Sequence, residues 1–394
     1  MDAQTKEKLK LAQRFKKEKK YEESKEIYDH YFEENPEVLS DWDRKTYAWD
    51  IYYLHMQNPT SKDELFENLE LLCEVTTQED KRKNDKYPCP YTLSILKGLD
   101  YLNRNGQFSD MLLLTDKINP EYLSEKPSQF NGQTYPSNKE KFYSHYTKAL
   151  LKSDYINEAL EASKEALKIE TLTDDIWFKW RIAKSYKELG EYDKSLKCLE
   201  KLSKQKNEWY VYAEIADNYY FKGDNEKSLE YALKAVLAPG QAESKVNLYS
   251  LLGELLEDEY PDESVKHYYL EYSIRLYNEW GIDESLEEKI LESGLDSENT
   301  EYWKIEKELK EFWNELKFKD QQPQYGIISK ILPHGKAGFI QGEDGKSYYF
   351  KKFEFKGDSS DYREMTSVNF FTEEGYDKTK DEVKLNAVNI HTIN

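Results

Sequence analysis

The sequence predicts an array of paired α-helices reaching to about residue 317, followed by a small all-β barrel of five strands over 325–394. Three observations predict it. One residue pattern recurs every 33 to 36 positions, as stacked helical hairpins require. The hydrophobic period changes from 3.6 to 2 just after the polar run Lys317-Phe318-Lys319-Asp320-Gln321-Gln322-Pro323-Gln324, so 318–324 reads as a linker. Beyond it, the dipeptide Asp344-Gly345 separates two alternating segments, which is a strong hairpin signal.

The repeat is clearest between Trp177 and Leu229. Ala183 and Ala216 are each followed three residues later by a tyrosine (Tyr186, Tyr219), four further on by a glycine (Gly190, Gly223), and then by Ser195-Leu196 and Ser228-Leu229. An earlier copy runs from Ala149 through Tyr155 and Ala159 to Ala166. A first copy holds Ala12, Phe15, Tyr21, Ser24, Tyr28, Tyr31 and Pro36, with Lys19-Lys20 where the turn glycine would stand. Small residues let two antiparallel helices touch, and glycine suits the turn between them. In these features the chain resembles tetratricopeptide repeats (TPRs), whose period is about 34 residues. The resemblance implies an α-helical TPR-like solenoid over 1–317.

Between 41 and 140 the repeats are irregular. Helical periodicity marks Asp41 to Gln57, Ser61 to Thr77 and Tyr91 to Asn105, and Asn105-Gly106-Gln107-Phe108 reads as an inter-helix turn. The stretch from Ser124 to Asn138, with Pro127, Gly132 and Pro136, is expected to be a long loop. After Val246 a helix pair is expected at Leu248–Leu256 and Ser264–Tyr277, with an insertion around Pro261, then a helix near Ser285–Leu295. A last helix, about 300–318, sets Ile305, Leu309, Phe312 and Leu316 on one face, as a capping helix should.

The five strands are expected at Tyr325–Leu332, Ala337–Gly342, Lys346–Phe353, Ser367–Glu373 and Lys384–Thr392. Gly326-Ile327-Ile328, Gly338-Phe339-Ile340, Ser347-Tyr348-Tyr349-Phe350-Lys351, Val368 with Phe370, and Ala387-Val388-Asn389-Ile390 resemble, in order, the strands of a cold-shock domain, a small OB-type barrel. In that family outward aromatics of the second and third strands stack on unpaired bases. Alternation puts Phe339 and Tyr349 outward, with Ile340, Tyr348 and Phe350 inward. Lys330, Ala337, Lys351 and Lys352 depart from the family, standing where it carries aromatics or histidine. The resemblance therefore implies a nucleic-acid site of Phe339, Tyr349, Lys330, Lys336, Lys351 and Lys352 that is weak and sequence-tolerant, with RNA favoured over DNA. His334 lies in the adjoining loop. The alternative is a barrel that no longer binds nucleic acid, within a chain that is wholly a protein-interaction scaffold.

In the helical region, first-helix positions form an aromatic and basic stripe: Lys148, Trp177, Trp180, Lys184, Lys187, Tyr210 and Tyr220, with Lys141 and Asp217 nearby. This is the expected groove for a protein partner, an acidic or C-terminal peptide, or a continuation of a nucleic-acid path; the alternative is solvated lysines and rings packed between repeats. Composition bounds the rest. The chain has 394 residues, 33 of them tyrosine, and a net charge of −20, which opposes general association with nucleic acid and confines any such contact to a local patch. Cys73, Cys89 and Cys198 are too dispersed for a disulfide framework or a zinc knuckle. The start of the chain has no signal-like apolar run and no later stretch has the length of a membrane span, so a soluble, cytoplasmic protein is expected. Six scattered histidines and the lack of a phosphate-binding glycine loop argue for a non-enzymatic adaptor with no cofactor and no metal.

Overall fold

The computed structural model describes residues 2–82, 86–206, 208–377 and 382–393, so the expected domain ends at Met1 and Asn394 lie outside the described residues. The chain divides into two compact units between Leu202 and Ser203. The first holds α1 (Ala3–Lys17), α2 (Tyr21–Glu34), α3 (Asp41–Ile51), α4 (Lys62–Val75), α5 (Pro90–Arg104), α6 (Phe108–Thr115), α7 (Asn138–Lys152), α8 (Ile156–Ala166) and α9 (Ile176–Glu188). The helix α10 (Tyr192–Gln205) carries the division within its last turn. The second unit holds α11 (Trp209–Phe221), α12 (Asn225–Leu237), α13 (Val246–Leu256), α14 (Pro261–Tyr277), α15 (Glu284–Ser293) and α16 (Tyr302–Phe318), then a five-stranded sheet.

The turns show that the helices are built as repeats. Five first helices end in the same way, with one residue in the left-handed region: Lys19 (φ 61°), Gly106 (68°), Asp154 (62°), Gly190 (73°) and Gly223 (77°). In each, the next amide reaches back five residues to a carbonyl: Lys20 to Phe15, Gln107 to Leu102, Tyr155 to Leu150, Glu191 to Tyr186 and Asp224 to Tyr219, at 2.8–3.0 Å. This is the Schellman closure, which satisfies carbonyls orphaned at a helix end. A second link then sets the spacing of the paired helices. Ser24 Oγ donates to the Ala12 carbonyl at 3.0 Å, Ser228 Oγ to Ala216 at 2.9 Å, and Ser264 Oγ to Gly253 at 2.7 Å. A larger residue at any of these six positions would wedge the pair apart.

Several expectations need correction. The 124–138 segment is not all loop: it carries a short hairpin of β1 (Ser128–Phe130) and β2 (Gln133–Tyr135), turned at Asn131-Gly132, both with positive φ. Asn-Gly is a preferred two-residue hairpin turn, and the signal was masked by the flanking prolines. The helix expected over 41–57 passes at Tyr52–Met56 into a π-helical turn. On α16 Trp313, eight and four positions after Ile305 and Leu309, is buried with them, while Phe312 and Leu316 are only partly buried. Pro261 is not an insertion but the first residue of α14, where its missing N–H costs nothing.

The C-terminal sheet has strands β3 (Gln324–Ile331), β4 (Ala337–Gly342), β5 (Ser347–Lys351), β6 (Ser367–Asp377) and β7 (Glu382–Thr392). They pair in the order β3-β4-β5-β7-β6, and β6 pairs again with β3, so the sheet closes on itself. Its interior is Ile328, Ile340, Tyr348, Phe350, Val368, Phe370, Ala387 and Ile390. Gly338 is required there: a Cβ would lie 2.5 Å from the Lys330 carbonyl and 2.7 Å from the Phe350 ring. Phe318 at the end of α16 stacks on Phe371 of β6, centroids 4.4 Å apart, and Lys317 pairs with Glu373 at 2.6 Å. The sheet is thus fastened to the last helix.

Candidate functional site

Strand register assembles the first candidate. Lys330 of β3 lies opposite Phe339 of β4, and Phe339 lies opposite Tyr349 of β5, which in turn is level with Asn386 of β7. A bulge between Ile328 and Lys330 brings the lysine into this row, since it shifts the alternation by one residue. The two rings meet edge to face with centroids 5.7 Å apart, and both are half-buried while their strand neighbours Ile340, Tyr348 and Phe350 are buried. The remaining expected cations frame the row. Lys351 is opposite Ala337 and holds its Nζ 5.6 Å from the Phe353 ring; Lys352 stands over Tyr362 at 4.9 Å; the Lys352 amide bonds the Lys336 carbonyl at 2.9 Å. Lys330, Lys336, Lys351 and Lys352 are all exposed. His334 is engaged locally, its Nδ1 accepting from the Lys336 amide at 3.0 Å.

Three further apolar side chains border this face: Phe353, 61% exposed, Tyr325 and Ile327. Alternation along β3 would have found the last two, because Gly326 and Ile328 between and after them are buried. Phe353 follows β5 in a 3-10 turn, where strand periodicity no longer applies. Half-exposed rings offer π-faces to bases, and surrounding ammonium groups attract a phosphate backbone.

The second candidate is the helical stripe. Its members fall in both compact units: Lys148, Trp177, Trp180, Lys184 and Lys187 in the first, Tyr210 and Tyr220 in the second. Within the first unit, Lys148, Trp177, Trp180 and Lys184 line one open cavity of about 610 Å³ between α5, α7 and α9; Lys187 is not in its wall. Lys148 Nζ donates to Asn103 Oδ1 at 2.7 Å, and burial lowers its pKa, with Arg181 and Lys152 adding to the effect. Arg181 was missed because it sits on the core side of α9, a position that reads as packing. It is 7% exposed, donates to Thr147 Oγ1 at 3.1 Å, and is pulled down to a pKa of about 10 by burial. His145 in the same wall bonds Asp100 Oδ1 at 2.9 Å. In the second unit Tyr210 meets Trp209 edge to face, and a hydrogen bond to Glu254 raises the Tyr220 pKa. Among the described residues no group of three His, Cys, Asp or Glu side chains is placed to hold a metal ion.

Fold and turns together define a TPR-like protein of helical hairpins with a closed C-terminal β-sheet. No family model matches the chain, and no curated protein matches it. Among solved structures it is similar to a tetratricopeptide repeat protein from Parabacteroides merdae, at 13% identity over 74% of this chain and 99% of the other, with a TM-score of 0.39. It is also similar to human IFIT1, solved as a dimer with PPP-AAAA, at 17% identity over 75% of this chain and 66% of the other, TM-score 0.40. A third is a putative kinesin light chain from Podospora anserina with TPR-like repeats, at 15% identity over 47% of this chain and 95% of the other, TM-score 0.35. At such scores the repeat assignment rests on the chain's own closures and serine links.

Proposed function

We propose that the chain is a non-enzymatic, cytoplasmic adaptor that holds single-stranded nucleic acid, RNA in preference, on the outer face of its C-terminal sheet, and a protein partner on its helical repeats. In this reading the sheet is a cold-shock-type OB barrel forming a domain of its own from 325 onward, with 318–324 as its linker. The observation that carries the reading is the cross-strand row of Lys330, Phe339 and Tyr349, bordered by Lys336, Lys351 and Lys352. Rings at successive positions across adjacent strands suit stacked bases, and lysines at the rim suit phosphates. The four lysines set a ceiling on the salt response. For a single strand, log K against log salt should have a slope of no more than about −3.

The test is fluorescence-anisotropy titration of the full chain with labelled single-stranded RNA and DNA at two salt concentrations. Each ring should contribute roughly 1–3 kcal/mol, so the double variant F339A/Y349A is expected to lose affinity by more than tenfold. Equal binding by this variant, or no binding by the parent protein at high micromolar concentration, would sink the nucleic-acid reading and leave a protein-interaction scaffold.

A further inference from the structure

The cavity in the first unit has a chemistry that a protein groove does not account for. Arg181 is almost wholly buried, yet among the described residues no carboxylate lies within ion-pair distance, and the only hydrogen bond from its guanidinium goes to the neutral Thr147 hydroxyl. A buried, unpaired guanidinium is costly unless something anionic reaches it. Lys148 and Lys152 share the same wall, and the charges of Arg181 and Lys152 bear on Lys148 as like charges rather than partners. Asp154 and Glu188 also line the cavity, solvent-exposed as Lys152 is, but neither is paired with Arg181. In a chain of net charge −20 this local excess of cations is the opposite of the general trend.

The aromatic wall adds a second requirement. Trp177 and Trp180 meet edge to face with centroids 6.1 Å apart, both line the cavity, and Trp177 is 44% exposed. The indole N–H of Trp180 is buried without an acceptor, and a buried donor left unmatched is costly. The cavity of about 610 Å³ lies within the range of roughly 300–1,000 Å³ common for small-molecule sites. A ligand that answers every one of these features has a concentrated negative charge, further acceptor oxygens and a flat ring.

We propose that this cavity is a nucleoside-phosphate site, in which Arg181, Lys148 and Lys152 take the phosphate and Trp177 with Trp180 takes the base. It is independent of the sheet site, and it moves Lys148, Trp177 and Trp180 from a protein groove to a small-ligand pocket. A phosphate dianion matches the cation cluster better than the single charge of a peptide carboxylate, and guanidinium geometry favours it. The same chemistry is offered by a free nucleotide or by the 5′-phosphorylated end of a strand.

The experiment is isothermal titration calorimetry on the full chain carrying F339A/Y349A, so that sheet binding does not contribute. The probes are adenosine, AMP, ATP, a hexa-adenylate with and without a 5′-phosphate, and a hexaglutamate peptide. AMP or ATP is expected to bind at least tenfold more tightly than adenosine, which identifies a free-nucleotide site. A 5′-phosphate dependence confined to the hexa-adenylate identifies a strand-end site, and either result supports the proposal. Arg181→Gln should weaken the binding at least tenfold. Should that variant fail to fold, Trp177→Ala at the exposed ring should weaken it several-fold with helix content unchanged. Adenosine and AMP binding alike, hexaglutamate binding in place of the nucleotides, or no heat from any phosphate probe at 1 mM would overturn it.

Discussion

His267 illustrates how a single buried group sets a pH response. An indole only donates, so the 2.7 Å contact from Trp313 Nε1 makes His267 Nε2 an acceptor, and the imidazole proton sits on Nδ1, which donates to the Glu263 carbonyl at 2.6 Å. Both ring nitrogens are satisfied only in the neutral form. A second proton on Nε2 would face the indole N–H, and burial accordingly drives the pKa down to about 4. The folded value is depressed below the unfolded one, so this stability is present above about pH 6.5 and is lost as pH falls through about 4. Urea unfolding followed at α14 and α16 should therefore weaken by roughly 3 kcal/mol over that window. H267Q, which does not titrate, should flatten this part of the curve; profiles of identical shape for variant and parent would refute the assignment. The sequence shows His267 only as one of six scattered histidines, because its partner Trp313 is 46 residues away.

At the scale of elements, the inter-helix turns carry the sharpest expectation. Gly190 and Gly223 sit in the left-handed region at no steric cost, whereas Lys19 holds the same conformation with a Cβ. Lys19→Gly is expected to raise the stability of the α1–α2 hairpin by about 1 kcal/mol, and Gly223→Ala to lower that of α11–α12 by about as much. Denaturant midpoints of the two variants check this, and shifts of the same sign would argue against a common turn geometry. This pattern was partly legible. The glycines stand out in the sequence, and the repeat places Lys19-Lys20 at a turn, but neither the left-handed conformation of Lys19 nor that of Asp154 can be read there, since it is imposed by the closing hydrogen bonds and the packing of each helix pair. The sheet was more legible still: alternation placed Ile340, Tyr348 and Phe350 inside and Phe339 and Tyr349 outside, because a two-residue period admits only two faces. It did not show that both outer rings would be half-covered, which depends on neighbours across the sheet.

For the molecule as a whole, the division at Leu202/Ser203 separates distinct apolar cores. One is built around Tyr28, Tyr47, Leu69 and Leu99, another around Tyr249, Leu252, Leu270 and Trp313. Units with their own cores open with their own free energies. Native-state hydrogen exchange is expected to resolve two limiting protection levels, one for α1–α9 and one for α11–α16, and a single shared limit would contradict this. Fastening of the sheet to α16 through Phe318–Phe371 and Lys317–Glu373 predicts that Phe371→Ala, at an outward ring of β6, also loosens the end of α16. Among the described residues no helix is long and apolar enough to cross a membrane.

The sequence by itself determined that a helical array precedes five C-terminal strands, the recurring hairpin unit and the faces of that sheet. All of these follow from short-range periodicity and from turn residues that act within a few positions. Only the tertiary structure decided that Arg181 would be buried beside Lys148 without a carboxylate, that Trp313 would meet His267, and that a bulge would bring Lys330 level with Phe339. The physical reason is the same in each case. Burial and charge pairing depend on residues far apart along the chain, and no local period records which of them will come together.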